Sequence, residues 1–158
     1  MNSLSFRWAP ATPLAAELSK PIKQISVVFV GSNVGPSSVT LWRYDGTGLR
    51  VYSQMHDVAE RVEVGVLNFE PVCTPAPDET MVDVALAFQG EVAVSKLVVF
   101  ESGASAESGV VLRASNGKEM VIVAGVFPYS IAVLGMGSMP HIFEPEYQLD
   151  RYKRVPIT

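Results

Sequence analysis

The chain has 158 residues, 48% of them hydrophobic and 18% charged, with a net charge of −4 at pH 7. That is ample apolar material for one packed domain spanning 1–158 and too much for a disordered chain. The acidic balance lacks the basic footprint of a nucleic-acid binder, and the lone cysteine, Cys73, excludes an internal disulfide and a Cys-rich metal framework.

Residues Met1 to Trp8 have no basic stretch followed by an apolar run, so no secretory signal is read and cytoplasmic residence is expected. The one helical signal is Thr12-Pro13-Leu14-Ala15-Ala16-Glu17-Leu18, with a capping hydroxyl, proline at the first helical position and good helix formers after it. Pro21 stops it. From residue 22 onward the chain reads as β. Strands are expected near 23–30, 39–44, 49–54, 60–69, 80–89, 92–101, 109–115, 119–124 and 129–134, rich in Val, Ile, Phe and Tyr. Cys73-Thr-Pro-Ala-Pro-Asp78 is the expected linker, and Gln89-Gly90 is expected to turn one strand into the next.

Part of this β region occurs twice at a constant offset. Val27, Val28 and Phe29 recur as Val98, Val99 and Phe100; Val39 and Leu41 recur as Val110 and Leu112. Asp45-Gly46 answers to Asn116-Gly117, and Leu49 and Val51 answer to Met120 and Ile122. A looser echo links Val66-Leu67 and Phe69-Glu70-Pro71 with Val133-Leu134 and Phe143-Glu144-Pro145. The pseudo-repeat is placed at 23–71 and 94–145.

Parity sets the hairpin register. Val39 and Leu41 share a face with Leu49 and Val51 only if the loop Tyr44-Asp45-Gly46 has three residues. Leu41 then opposes Leu49, Val39 opposes Val51, and Gly46 takes the left-handed position of a G1 bulge. The second copy opposes Leu112 to Met120 and Val110 to Ile122, with Gly117 in that role. The outer faces differ. Thr40, Trp42, Arg50 and Tyr52 face outward in the first hairpin, which reads as open. Val111, Arg113, Val121 and Val123 do so in the second, which reads as covered on both sides.

Met120 to Pro140 is free of charge for about the length of a membrane span. Its glycines, Pro128 and the charged counterpart stretch in the first copy instead point to two buried strands, so no membrane association is expected. The expected fold is all-β: an antiparallel sandwich or flattened barrel of two pseudo-repeated modules, with one short N-terminal helix.

Among candidate sites, Trp42, Arg50 and Tyr52 form the preferred binding face, where aromatic rings beside a guanidinium can stack on a ligand or anchor a partner. The bland reading makes them cross-strand neighbours that hold the sheet. The paired loops Gly31–Ser38 and Ser102–Gly109 lack a phosphate-loop signature and read as connections. His56-Asp57 and His141 with Glu144 and Glu146 are the only groups resembling metal or acid–base chemistry, and their spacing matches no ligand set. Ser130 lacks a nucleophile elbow, and Cys73 has no basic neighbour in sequence. No cofactor, metal site or catalytic residue is expected. The leading expectation is a non-catalytic interaction protein that binds another protein or itself as a homo-oligomer. Carbohydrate or small-ligand binding through the aromatic face comes second, and a metal-dependent enzyme using His56 and His141 third. The tail from Phe143 to Thr158 reads either as an arm around a partner or as an extended segment packed on its own domain.

Overall fold

A short parallel strand, β1 (Asn2–Leu4), and a five-residue helix, α1 (Leu14–Leu18), precede two sheets in the computed structural model, which describes residues 2–29, 35–84, 88–135 and 141–157. The first sheet contains β2 (Gln24–Phe29), β3 (Pro36–Trp42), β4 (Gly48–Ala59), β5 (Val62–Val72) and β6 (Thr80–Asp83), in the order β5-β4-β3-β2-β6. The second contains β7 (Ala93–Glu101), β8 (Ala104–Arg113), β9 (Glu119–Ala124), β10 (Ile131–Gly135) and β11 (Lys153–Pro156), in the order β10-β9-β8-β7-β11, with β1 added to it through β8. Each sheet is therefore a four-strand antiparallel meander whose next strand returns beside the first. The all-β, two-sheet architecture is the one expected.

Both hairpins have the anticipated register. Leu41 pairs with Leu49 and Val39 with Val51; Leu112 pairs with Met120 and Val110 with Ile122. Gly46 and Gly117 both sit at φ 87, a conformation that costs a side-chain-bearing residue dearly. Their amides donate to Arg43 O at 3.2 Å and Ala114 O at 2.9 Å. Asp45 and Asn116 accept the amides of Thr47 and Lys118 in the same way, closing both turns with an Asx-type bond.

Other local expectations need correction. Pro13 occupies the N-cap in an extended conformation rather than the first helical position, and no side chain caps the helix. Pro13 has φ −60 but an extended ψ of 134, so the helix starts only at Leu14. The strand expected over 80–89 ends at Asp83 and pairs with β2. Gln89-Gly90 thus lies on a crossing between sheets, not in a hairpin turn; residues 85–87 lie outside the described residues. The stretch Ser102–Gly109 is mostly strand. Ser102 and Gly103, at φ 51 and 79, make a two-residue turn, and Ser108 is the extra residue of a bulge between the Leu97↔Gly109 and Val98↔Glu107 pairs. In its counterpart, Gly31–Ser38, residues 31–34 lie outside the described residues and Pro36 already begins β3. The looser echo is not equivalent in space: Phe69–Pro71 runs within β5, whereas Phe143–Pro145 lies outside the strands. The C-terminal segment pairs with β7 of its own domain.

The main core lies between the sheets. It joins Ile25, Val27, Val39, Leu41, Leu49 and Val51 to Val110, Leu112, Met120, Ile122 and Val133, with Leu18 and Phe88. Each such side chain contributes roughly 1.5–3 kcal/mol relative to exposure. A second cluster covers the other face of the second sheet. There Val111, Val121 and Val123 pack with Val64 and Val66 of β5 and with Tyr152. Strand β5 can lie this close because Gly65 has no side chain; a Cβ there would come within 2.6 Å of Ala124 Cβ. Ser108 Oγ also donates to Gly65 O at 2.5 Å. The second hairpin is thus covered on both sides.

The N-terminal segment ties the sheets together. Asn2 to Leu4 pair in parallel with Ala104 to Ala106. Farther along, Arg7 N–H donates to Leu67 O at 3.3 Å, Phe69 N–H donates to Arg7 O at 3.0 Å, and Phe6 meets Phe69 edge-on at 5.1 Å. Among the described residues no helix is long and apolar enough to cross a membrane. The described part of the charge-free stretch 120–140 includes β9 residues, from Met120, and all of β10.

Candidate functional site

Cross-strand pairing puts Trp42, Arg50 and Tyr52 on one face, through the pairs Trp42↔Gly48, Thr40↔Arg50 and Ser38↔Tyr52. That face is more closed than parity suggests. Trp42 is only 6% exposed, and its Nε1–H donates to Ser26 Oγ at 2.8 Å. The indole lies over Gly48, where a Cβ would come within 2.8 Å of two ring carbons. The missing side chain leaves a slot that lets the ring fold flat, which parity cannot reveal. Thr40 is fully buried. Arg50 Nη1 pairs with Glu70 Oε1 at 2.9 Å, and Arg50 and Tyr52 remain half-buried.

The histidines do not converge with a carboxylate set. His56 sits on β4 opposite Val64, while His141 Nε2 lies 3.7 Å from Glu144 Oε1 at an exposed position. Among the described residues no group of three or more His, Cys, Asp or Glu side chains is placed to hold a metal ion. Glu146 instead docks the C-terminal segment. Its Oε1 accepts Gly65 N–H at 3.1 Å, and its own amide donates to Ala124 O at 2.8 Å. Burial pushes its carboxyl up to about 7, reinforced by Glu101 and Glu63 against the lowering effect of the Gly65 bond. Burial likewise raises Tyr147 to about 12 and raises Tyr152, with Glu146 adding to both.

The β9–β10 turn is the feature the sequence reading missed. Val126, Phe127 and Tyr129 are 50%, 45% and 60% exposed, and Pro128 between them is exposed as well. The turn is braced: Gly125 N–H donates to Ser130 O at 2.8 Å, Val126 N–H to Glu144 O at 2.9 Å and Ser130 N–H to Phe127 O at 3.1 Å. Ser130 Oγ adds a bond to Phe127 O at 2.6 Å, so this serine holds a turn. Phe143 stacks on Phe127 with centroids 5.8 Å apart and planes 23° apart, and packs tightly on Gly35 and Gly125.

Two of these aromatics hold unfavourable backbone. Tyr129 is at φ 64 and Phe143 at φ 69, a region costing a bulky residue on the order of 1–3 kcal/mol. Such strain persists only where surrounding structure enforces it. The signal was present as Val-Phe-Pro-Tyr, an apolar run where a turn should be polar. The expected strands 119–124 and 129–134 leave 125–128 as a turn, so its place is legible and the exposure of its apolar side chains is not; only Tyr129 and Ser130 move out of the strand, which starts at Ile131. No protein-family model matches the chain, and no curated protein or solved structure matches it either.

Proposed function

We propose that the chain is a non-catalytic, cytoplasmic interaction protein, one domain of two pseudo-repeated β modules, that docks a protein partner through the tip Val126–Tyr129 with Phe143. A second copy of the chain is the first partner to test. The observation that carries this reading is four consecutive exposed apolar residues on a braced, strained turn. Surface apolar residues are ordinarily scattered, and aromatic anchors dominate docking energies. A turn already rigid loses little entropy on binding. By comparison, a ligand site on Trp42, Arg50 and Tyr52 draws support only from half-buried Arg50 and Tyr52, and a metal-dependent enzyme at His56 and His141 draws none.

The test is light scattering across a wide concentration range for the wild type and for Phe127→Ser with Tyr129→Ser, coupled to affinity capture with both. Concentration-dependent assembly, or capture of one defined partner, that is lost in the double variant with its thermal stability retained supports the proposal. A wild-type chain that stays monomeric and captures the same proteins as the double variant overturns it.

A further inference from the structure

Beside the Asp45-Gly46 turn, the N-terminal segment, α1 and the end of β5 enclose a cleft of about 400 Å³, within the ordinary size range of small-molecule sites. Trp8, Pro10 and Pro71 supply an apolar wall, and Glu17, Lys20, Asp45 and Thr47 line the polar side. The aromatic tip uses none of them.

These groups are held before any ligand arrives. Trp8 donates its indole N–H to Thr12 O at 2.6 Å. Asp45 Oδ1 accepts the Thr47 amide at 2.9 Å and the Thr47 hydroxyl at 2.6 Å. The hydroxyl bond, then the amide bond, hold the Asp45 carboxyl below its ordinary range, so it is an anion at neutral pH. Lys20 Nζ lies 3.1 Å from both carboxylate oxygens of Glu17, and Arg43 donates to the Glu17 backbone carbonyl.

The mixed charges select the ligand. The carboxylates of Glu17 and Asp45 are balanced by Lys20 and Arg43, both of which act on each of them, so neither an anion nor a cation meets a net counter-charge. A neutral ring bearing hydroxyls needs none and finds acceptors and a donor spaced around an indole. The negative face of that indole attracts the ring's C–H edges. We infer that this cleft is a binding site for a neutral saccharide ring, stacked against Trp8 and hydrogen-bonded by Asp45, Lys20 and Thr47. The cleft borders the Trp42 face at Gly48 and is independent of docking at the tip.

Cys73 gives a direct readout, because it lines the cleft, is exposed and is the only cysteine in the sequence. The experiment measures how fast a chromogenic disulfide reagent modifies Cys73 while methyl glucoside, methyl galactoside, cellotriose and chitotriose are titrated through the millimolar range. Spermidine and inorganic phosphate serve as charged controls. At least one saccharide should slow the reaction, and Lys20→Ala and Trp8→Phe should each weaken that protection about tenfold, while Tyr129→Ser at the distant tip leaves it unchanged. Lys20 is exposed, so its variant tests the site even if Trp8→Phe proves unstable. The inference is overturned if no saccharide protects, if protection is equal in Lys20→Ala, or if spermidine or phosphate protects better than every saccharide.

Discussion

The final hairpins of the two meanders, β4–β5 and β9–β10, occupy corresponding positions yet end in opposite ways. Strands β4 and β5 have 12 and 11 residues, against 6 and 5 for β9 and β10. The long hairpin buries its flank, Val64 and Val66, on the second sheet and turns through exposed Glu60 and Arg61. The short one turns through exposed Val126, Phe127 and Tyr129. Both tips hold a non-glycine residue at positive φ, Arg61 at 58 and Tyr129 at 64, so the contrast lies in polarity: a charged tip suits solvent, and an apolar tip suits the docking role proposed for it. The difference also accounts for the unequal outer faces. The first half covers the second with its long hairpin, while the second half is too short to return the cover.

The largest expected effect comes from breaking that cover. Gly65→Val would drive a side chain into Ala124 Cβ and Ser53 Oγ, which a Cβ alone approaches to 2.6 and 2.8 Å. Urea denaturation should show a loss of about 3 kcal/mol, the upper end for overpacking; a loss under about 0.5 kcal/mol would mean that the long hairpin does not depend on this approach.

A smaller effect concerns Glu146, which fastens the tail to the same glycine. Its folded-state pKa lies above that of an unfolded glutamate, so the folded state favours the protonated acid. Its contribution to stability is full below about pH 4.5 and is lost as pH rises through about 7. Glu146→Gln should remove that pH dependence and leave the protein roughly 1–2 kcal/mol more stable than wild type at pH 8, allowing for solvent screening. Parallel stability profiles for the two proteins from pH 5 to pH 8 would contradict this assignment.

The smallest expected effect is at the other tip. Tyr129→Gly relieves the φ 64 backbone but frees the unfolded chain, so a net stabilisation of about 0.5 kcal/mol is expected. Calorimetry should find the melting temperature slightly raised while association weakens. A clear drop in melting temperature would make Tyr129 a structural residue and undercut the contrast between the tips.

What was legible in the sequence was local. Asp45-Gly46 and Asn116-Gly117 specify their own turns, and once the turn is known the alternation of Val39, Leu41, Leu49 and Val51 sets the core face. The buried Val121 and Val123 followed from the same parity. Less legible were features that depend on distant partners. Whether Trp42 is open depends on Gly48 across the ladder and Ser26 on the next strand. The destinations of β6 and β11 depend on β2 and β7, which offer no turn chemistry to announce the pairing. The place of the tip is legible as the gap between two expected strands, but its exposure depends on whether other segments cover it, and the Trp8 cleft brings together segments as distant as Trp8, Asp45 and Pro71.

The N-terminal segment that bridges the sheets also imposes an order of assembly. Its hydrogen-bonding partners are Ala104 to Ala106 on one side and Leu67 to Phe69 on the other, and Phe6 N–H reaches Glu107 from 101 residues away. During synthesis these residues leave the ribosome before their partners, yet they cannot take their places until β8 has been made. Closure over such a separation is slow. A segment made before its partners is therefore among the last to be fitted, and until then the edges of β5 and β8 that it covers stand open.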